Sequence, residues 1–181
     1  STDDVKIKEC AEQTGLYVPF IRPSHLATDT SGTYEVLLHA VEFAESQGYV
    51  PDTLVLLQPT SPFRTAKHIK DAMQSFSSSD DMVVSVKETK SNPYYVLFED
   101  QENGYLKKSK EGDFIRRQDC PQVWEYNGAI YIINIALLKK SPVHRFQKVK
   151  KYVMDERSSH DIDSKMDWLI AEHLAQEVNL K

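Results

Sequence analysis

The segment Thr53-Leu54-Val55-Leu56-Leu57-Gln58 constrains the fold more than any other, because its apolar residues run without alternation and close on a polar one. A strand with one wet face alternates apolar and polar positions, whereas a continuous run suits a parallel strand covered on both faces. Pro59-Thr60-Ser61-Pro62 then stops the run. Ile69, Ala72, Met73 and Phe76 follow at helical spacing, and Met82-Val83-Val84-Ser85-Val86 reads as a second strand. Strand and helix in alternation mark an α/β domain built on a mostly parallel sheet.

The flanking text extends this pattern. Ser1-Thr2-Asp3-Asp4 supplies N-cap chemistry for a helix whose inner positions are Ile7, Cys10, Ala11 and Thr14, with Gly15 at its end. Residues 16–21 read as a buried strand and 22–32 as a polar loop. Tyr34, Leu37, Leu38 and Val41 form the inner face of a helix closed by Gly48. Residues 87–122 are mixed aromatic and polar text with a turn at Glu102-Asn103-Gly104, an insertion rather than part of the sheet. Strands resume at Gly128-Ala129-Ile130-Tyr131-Ile132-Ile133 and at Tyr152-Val153-Met154. A last helix follows, with Met166, Leu169, Ile170 and Leu174 expected on its inner face.

At 181 residues, 40% hydrophobic, the chain suffices for one domain burying roughly 70% of its unfolded surface. Its 22 basic against 27 acidic residues give a formal charge of −5 without a basic tract, which argues against nucleic acid as a partner. The longest apolar stretch, Ala129 to Leu138, is broken by Asn134 and falls far short of the roughly 20 residues of a membrane span. Cys10 and Cys120 lie far apart with no CxxC pattern, so neither zinc nor a disulfide framework is expected. No signal for secretion is read at the start, and an intracellular protein is the expectation.

In an extended segment, residues two apart point the same way, so Asp161 and Asp163 can present two carboxylates together with Ile162 turned inward. Such a pair suits Mg²⁺, which takes oxygen ligands and keeps water. Equally, Asp163 or Ser164 can cap the final helix while Asp161 pairs with His160. Gln58, Thr60 and Ser61 stand where a parallel strand ends, the edge at which open α/β sheets hold ligands, though the same text also makes a stiff turn. Arg22, Arg116 and Arg117 carry guanidinium forks that can grip a carboxylate or phosphate, or remain solvated. Asn127-Gly128 either sets an amide beside a ligand or starts a strand tightly.

Taken together, Ser1-Thr2-Asp3-Asp4, Arg22-Pro23-Ser24-His25-Leu26-Ala27-Thr28-Asp29-Thr30, Leu57-Gln58-Pro59-Thr60-Ser61-Pro62-Phe63-Arg64-Thr65, Arg117-Gln118, Asn127-Gly128-Ala129-Ile130-Tyr131 and Asp161-Ile162-Asp163 resemble the acylneuraminate cytidylyltransferases. The resemblance implies a three-layer, Rossmann-like nucleotidyltransferase fold with a mostly parallel sheet. It implies attack by the anomeric hydroxyl of a sialic-acid-type, nine-carbon sugar on the α-phosphorus of CTP, with release of pyrophosphate. It also implies Mg²⁺ on Asp161 and Asp163, and a cytoplasmic homodimer joined through residues 87–126. Arg22, Gln58, Thr60 and Ser61 would face the nucleotide and sugar, and Arg117 and Asn127 the acidic sugar.

Two departures qualify the match. The family's usual opening strand and Lys/Arg-rich phosphate loop have no counterpart in 1–181, so the chain by itself is expected to turn over little CTP, with a non-catalytic dimerising fragment as one alternative. Glu125 stands where some sialic-acid-activating members carry arginine, which leaves a legionaminic- or pseudaminic-type sugar open. A glycosyltransferase using Asp161-Ile162-Asp163 is the other alternative.

Overall fold

The Asp4 carboxylate accepts hydrogen bonds from the backbone N–H groups of Lys6 and Ile7 and so starts helix α1 (Val5–Gln13) where the sequence places it. The structure, a computed structural model, describes residues 1–179. Along the chain come α2 (Thr33–Ser46), β1 (Thr53–Leu56), α3 (Ala66–Ser75), β2 (Met82–Glu88), β3 (Phe98–Asp100), β4 (Leu106–Lys108), β5 (Trp124–Asn134), α4 (Ile135–Leu138), β6 (Val149–Val153) and α5 (Lys165–Asn179). Helices alternate with strands, as the apolar runs require. The insertion contributes a separate antiparallel hairpin, β3 with β4, around the turn at Gly104.

Four strands form one sheet in the order β1-β5-β2-β6. β2 and β6 pair in parallel, with Val84 opposite Lys151. β5 runs the other way. Ile135 N–H, just past its end, bonds Asp52 O just before β1, and Thr89 N–H, just past β2, bonds Val123 O just before β5. The sheet is thus mostly parallel with one strand reversed, and the reversal brings the start of β5 to the edge where β1, β2 and β6 end.

β2 is the strand covered on both faces, buried from Met82 to Val86, whereas β1 sits at the sheet edge and is half-buried throughout. The chain divides into two compact units, Ser1–Leu54 with Ile133–Lys148, and Val55–Ile132 with Val149–Lys181. In the first, Phe20 packs edge-on to His39 at 4.9 Å and against Phe43 at 4.8 Å, and Leu37 and Val41 of α2 are buried. In the second, Ala72, Val83, Ala129, Ile130, Ile132 and Met154 form the core, with Val55, Ile69, Phe76 and Tyr152 packed on it.

Three expectations need correction. Residues 16–21 form no strand, and Leu16 and Tyr17 are exposed, because an extended segment becomes a strand only by pairing and, among the described residues, no strand pairs with it. Helix α1 has no buried residue on its supposed inner face. On α5 the inward positions are Ala171 and Leu174, while Met166, Leu169 and Ile170 are exposed, Met166 at 65%. Apolar residues are so dense in Met166–Ala171 that spacing alone does not choose a face.

Candidate active site

Gln58 leaves the end of β1, and its main chain is held by Arg64. That guanidinium Nη1 donates to Gln58 O at 2.9 Å and to Ala129 O at 2.8 Å, tying the end of β1 to the start of β5. Burial pushes the Arg64 guanidinium pKa down from its ordinary value, but a guanidinium so far above neutrality stays charged. Beside Ala129 in β5 lies Gly128, at φ 72°, a left-handed conformation that disfavours any side chain. A Cβ at this position would lie 2.4 Å from Gln58 Oε1 and 3.4 Å from Asp161 Oδ2. The Gln58 amide and the Asp161 carboxylate therefore converge on the bare face of Gly128.

Ile162 N–H donates to Thr60 O at 3.0 Å, which seats the Asp161 segment against the Gln58-Pro59-Thr60-Ser61 loop. Two polar atoms in this region are buried without a partner: Ser61 Oγ, in a residue 3% exposed, and Asp161 Oδ1. A buried acceptor or donor left unpaired costs on the order of 1–3 kcal/mol, more when charged, so such atoms mark places where a ligand can supply the missing bond. The Tyr131 phenol stands close enough for the Asp161 charge to matter. Burial is the main cause that raises its pKa, and Tyr126 and Asp161 add to it.

The start of α5 is capped by Ser164, one of the two caps the sequence offers, together with Asp167. Ser164 Oγ accepts from Asp167 N–H at 3.3 Å, while the Asp167 carboxylate accepts from Ser164 N–H at 2.8 Å and from Ser164 Oγ at 2.6 Å. These bonds hold the Asp167 carboxyl below the usual carboxylate range. His160 Nε2 lies 2.8 Å from Asp167 O rather than against Asp161. The helix-cap reading thus uses neither the Asp161 nor the Asp163 carboxylate. The partnerless Oδ1 of Asp161, with a second carboxylate two residues on, fits a hard divalent cation. Among the described residues no group of three or more His, Cys, Asp or Glu side chains is placed to hold a metal ion, so a cation here would need substrate oxygens and water beside the two carboxylates.

Arg22 belongs to the first unit, where its Nη2 donates to Asp3 Oδ1 at 2.9 Å and its Nε is buried without a partner. Of the paired arginines, Arg116 is engaged by Asp119 at 2.8 and 2.9 Å. Arg117 instead lines a cavity of about 1060 Å³ shaped by the residues after β2, those before β5 and those after β6. Glu125 lines the same cavity, and its carboxyl lies below the ordinary range, first through a hydrogen bond from Thr89 and then through Lys87, whose Nζ is 3.2 Å away. The acid in the position noted above is thus held ionised, with its charge balanced by Lys87. Lys151 Nζ stands 3.9 Å above the Trp124 ring at the foot of β5.

Asn127 is 3% exposed, and its amide bonds protein groups behind Gly128. Arg64, Gly128 and Tyr131 went unrecognised in the sequence as site residues, although all three lie inside the quoted motifs. The signal for Gly128 was its place before a buried strand, which permits close approach of a neighbouring side chain.

Residues 1–180 match the protein-family model described as cytidylyltransferase. The chain is 33% identical to the post-translational flagellin modification protein B of Campylobacter coli, covering 100% of this chain and 77% of that one. It is 34% identical to the CMP-N,N'-diacetyllegionaminic acid synthase of Campylobacter jejuni subsp. jejuni serotype O:2, covering 99% of this chain and 77% of that one. Among solved structures, CMP:2-keto-3-deoxy-manno-octonic acid synthetase complexed with CTP superposes with a TM-score of 0.61 at 13% identity, over 95% of this chain and 79% of that one, which establishes a shared fold.

Proposed function

Because the chain belongs to the cytidylyltransferase family, we propose that it transfers CMP from CTP to the anomeric hydroxyl of an acidic, nine-carbon sugar of the sialic-acid type and releases pyrophosphate. The observation that carries this reading is the convergence on Gly128 of the Gln58 amide and the Asp161 carboxylate, whose Oδ1 has no protein partner, at the sheet edge where α/β folds take ligands.

Each residue has a part in the reading. The Gln58 amide and the Thr60 and Ser61 hydroxyls orient the nucleotide and sugar, Ser61 through the Oγ left unpaired in the free protein. Arg22 takes an anionic oxygen through its fork. Arg117 holds the sugar carboxylate in the cavity, where the Lys87–Glu125 pair keeps the acid from repelling it. Asn127, which the resemblance places at the acidic sugar, has its amide bonded to protein groups and supports Gly128 instead. Asp161 and Asp163 hold Mg²⁺, which when bound offsets charge on the triphosphate and on the departing pyrophosphate.

The protein works as a homodimer through residues 87–126, a reading supported by the exposed Val96, Leu97, Phe98, Tyr105, Leu106 and Ile115. Residues 1–181 belong to a single cytidylyltransferase-like domain, with 87–126 as the dimerisation insertion within it. No helix among the described residues is long and apolar enough to cross a membrane, and the cytoplasm is assigned because CTP is there.

The test incubates the protein and Mg²⁺ with CTP, UTP, ATP or GTP and a panel of acidic sugars, following pyrophosphate and the product mass. Product is expected with CTP and a nine-carbon acid. Release with another nucleotide or with an eight-carbon acid alone contradicts the reading, and release with none of the pairs is the outcome of the non-catalytic alternative.

A further inference from the structure

A serine in the middle of a fully buried strand needs a polar partner, and Ser85, 0% exposed between Val84 and Val86 on β2, has one in Asn127. Ser85 Oγ donates to Asn127 Oδ1 at 2.6 Å and accepts from Ile130 N–H at 2.7 Å. The same Oδ1 accepts from Ala129 N–H at 3.2 Å, which fixes the orientation of the amide, since a backbone N–H only donates. Asn127 Nδ2 then donates to Ser159 Oγ at 2.8 Å and to Met154 Sδ at 3.5 Å, both in residues nearly sealed from solvent. Every hydrogen and lone pair of the Asn127 side chain is accounted for inside the protein.

We infer that Asn127 is a positioning residue, the centre of a buried polar strut that runs from Ser85 through Asn127 to Ser159 and sets the backbone on both sides of the active site. The inference rests on the function proposed above. At one end the strut pins the chain just after Gly128, through Ala129 and Ile130 N–H, to Asn127 just before it and to Ser85. At the other it holds Ser159, two residues before Asp161, in the loop that follows β6. It therefore fixes, from beneath, how far the Asp161 carboxylate stands from the glycine on which it and Gln58 converge. A saturated amide has no atom left for substrate, so its effect is transmitted through position. Buried networks of this kind are rigid when fully satisfied and fail as a unit when one member is removed.

Ser159 tests this without altering any residue placed at the substrate. Ser159→Ala removes the hydroxyl, and Ser159→Cys keeps most of the volume with a poor hydrogen-bonding group, so the test stands even where the alanine variant fails to fold. Two readouts are taken: amide hydrogen exchange at Ala129 and Ile162, which needs no turnover, and steady-state kinetics of CMP transfer. Exchange at both amides is expected to quicken by at least about tenfold, and kcat to fall about 10–100-fold with KM for CTP and sugar nearly unchanged, as for a misplaced reacting group. Parent-like exchange and kcat in Ser159→Cys overturn the strut, as does a loss confined to KM. If the parent transfers no CMP, the proposed function fails, while the exchange result still decides whether the strut sets this backbone.

Discussion

Replacing Gly128 by alanine strains the site in two separable ways. The left-handed φ of 72° costs a residue with a Cβ about 1–2 kcal/mol, which for a domain of this size lowers Tm by roughly 2–8 °C. Independently, the new methyl meets Gln58 Oε1 at 2.4 Å, so the amide must retreat by about 1 Å to reach ordinary contact near 3.4 Å. Gln58 is flexible at its tip, which makes that retreat cheap in stability. In catalysis it is not cheap, because a displacement of about 1 Å at a positioned group can cost roughly 100-fold in rate, about 2.7 kcal/mol. The assay is pyrophosphate release under saturating substrates, with melting curves for Gly128→Ala, Gln58→Ala and the double variant. Gln58→Ala should leave the φ penalty of Gly128→Ala in place while removing the rate effect that Gly128→Ala adds. Turnover of Gly128→Ala within about threefold of the parent, in folded protein, refutes the convergence of Gln58 and Asp161 on this glycine as the source of activity.

Further outcomes follow from the same contacts. Arg64→Ala frees the carbonyls of Gln58 and Ala129 from a charged donor and should destabilise by about 3 kcal/mol, a fall in Tm of roughly 6–12 °C by calorimetry. The carboxyls of Asp155, bonded by Ser158 N–H and Oγ, and of Asp167, bonded by Ser164, lie below the ordinary aspartate range. A depressed folded pKa gives stability that is present above the unfolded value near 3.9 and is lost as pH falls through it toward the folded one. Melting temperature should therefore drop between about pH 5 and pH 3, and Asp167→Asn should flatten part of that slope. Phe98→Glu with Leu106→Glu, on the exposed hairpin, should leave a monomer by sedimentation while the melting of the parent fold is kept.

The α/β alternation was readable because apolar runs spaced with amphipathic helices impose it, although only β2 is buried on both faces and β1 is half-buried at the sheet edge. The reversal of β5 was not readable, since Gly128-Ala129-Ile130-Tyr131-Ile132-Ile133 looks the same in either direction and only its pairing with Asp52 and Thr89 reveals which it takes. Burial of residues 16–21 and of the Met166 face of α5 was misjudged for a related reason: apolar composition states that a segment can be covered, not that it is. At the site, the motifs named Gln58 and Asp161, which the structure brings to Gly128, and Arg117, which lines the cavity beside Glu125. They did not show that Gln58 and Asp161, more than a hundred residues apart, meet over one glycine. Asn127 left two readings open, and the bonds that turn it inward come from Ser85 and Ser159. Of these only Ser85, polar in an otherwise apolar strand, carried a legible signal.

The most direct measurement is transfer of label from α-labelled CTP to a nine-carbon acidic sugar, compared between the parent and Asp161→Asn across a Mg²⁺ titration with melting recorded alongside. Asn keeps the shape and removes a negative ligand whose Oδ1 has no protein partner, so transfer should fall by about two to three powers of ten with the melting temperature held or raised. Near-normal transfer with unchanged Mg²⁺ dependence in Asp161→Asn would contradict the assignment of this carboxylate, and of the Gly128 face it shares with Gln58, as the seat of the reaction.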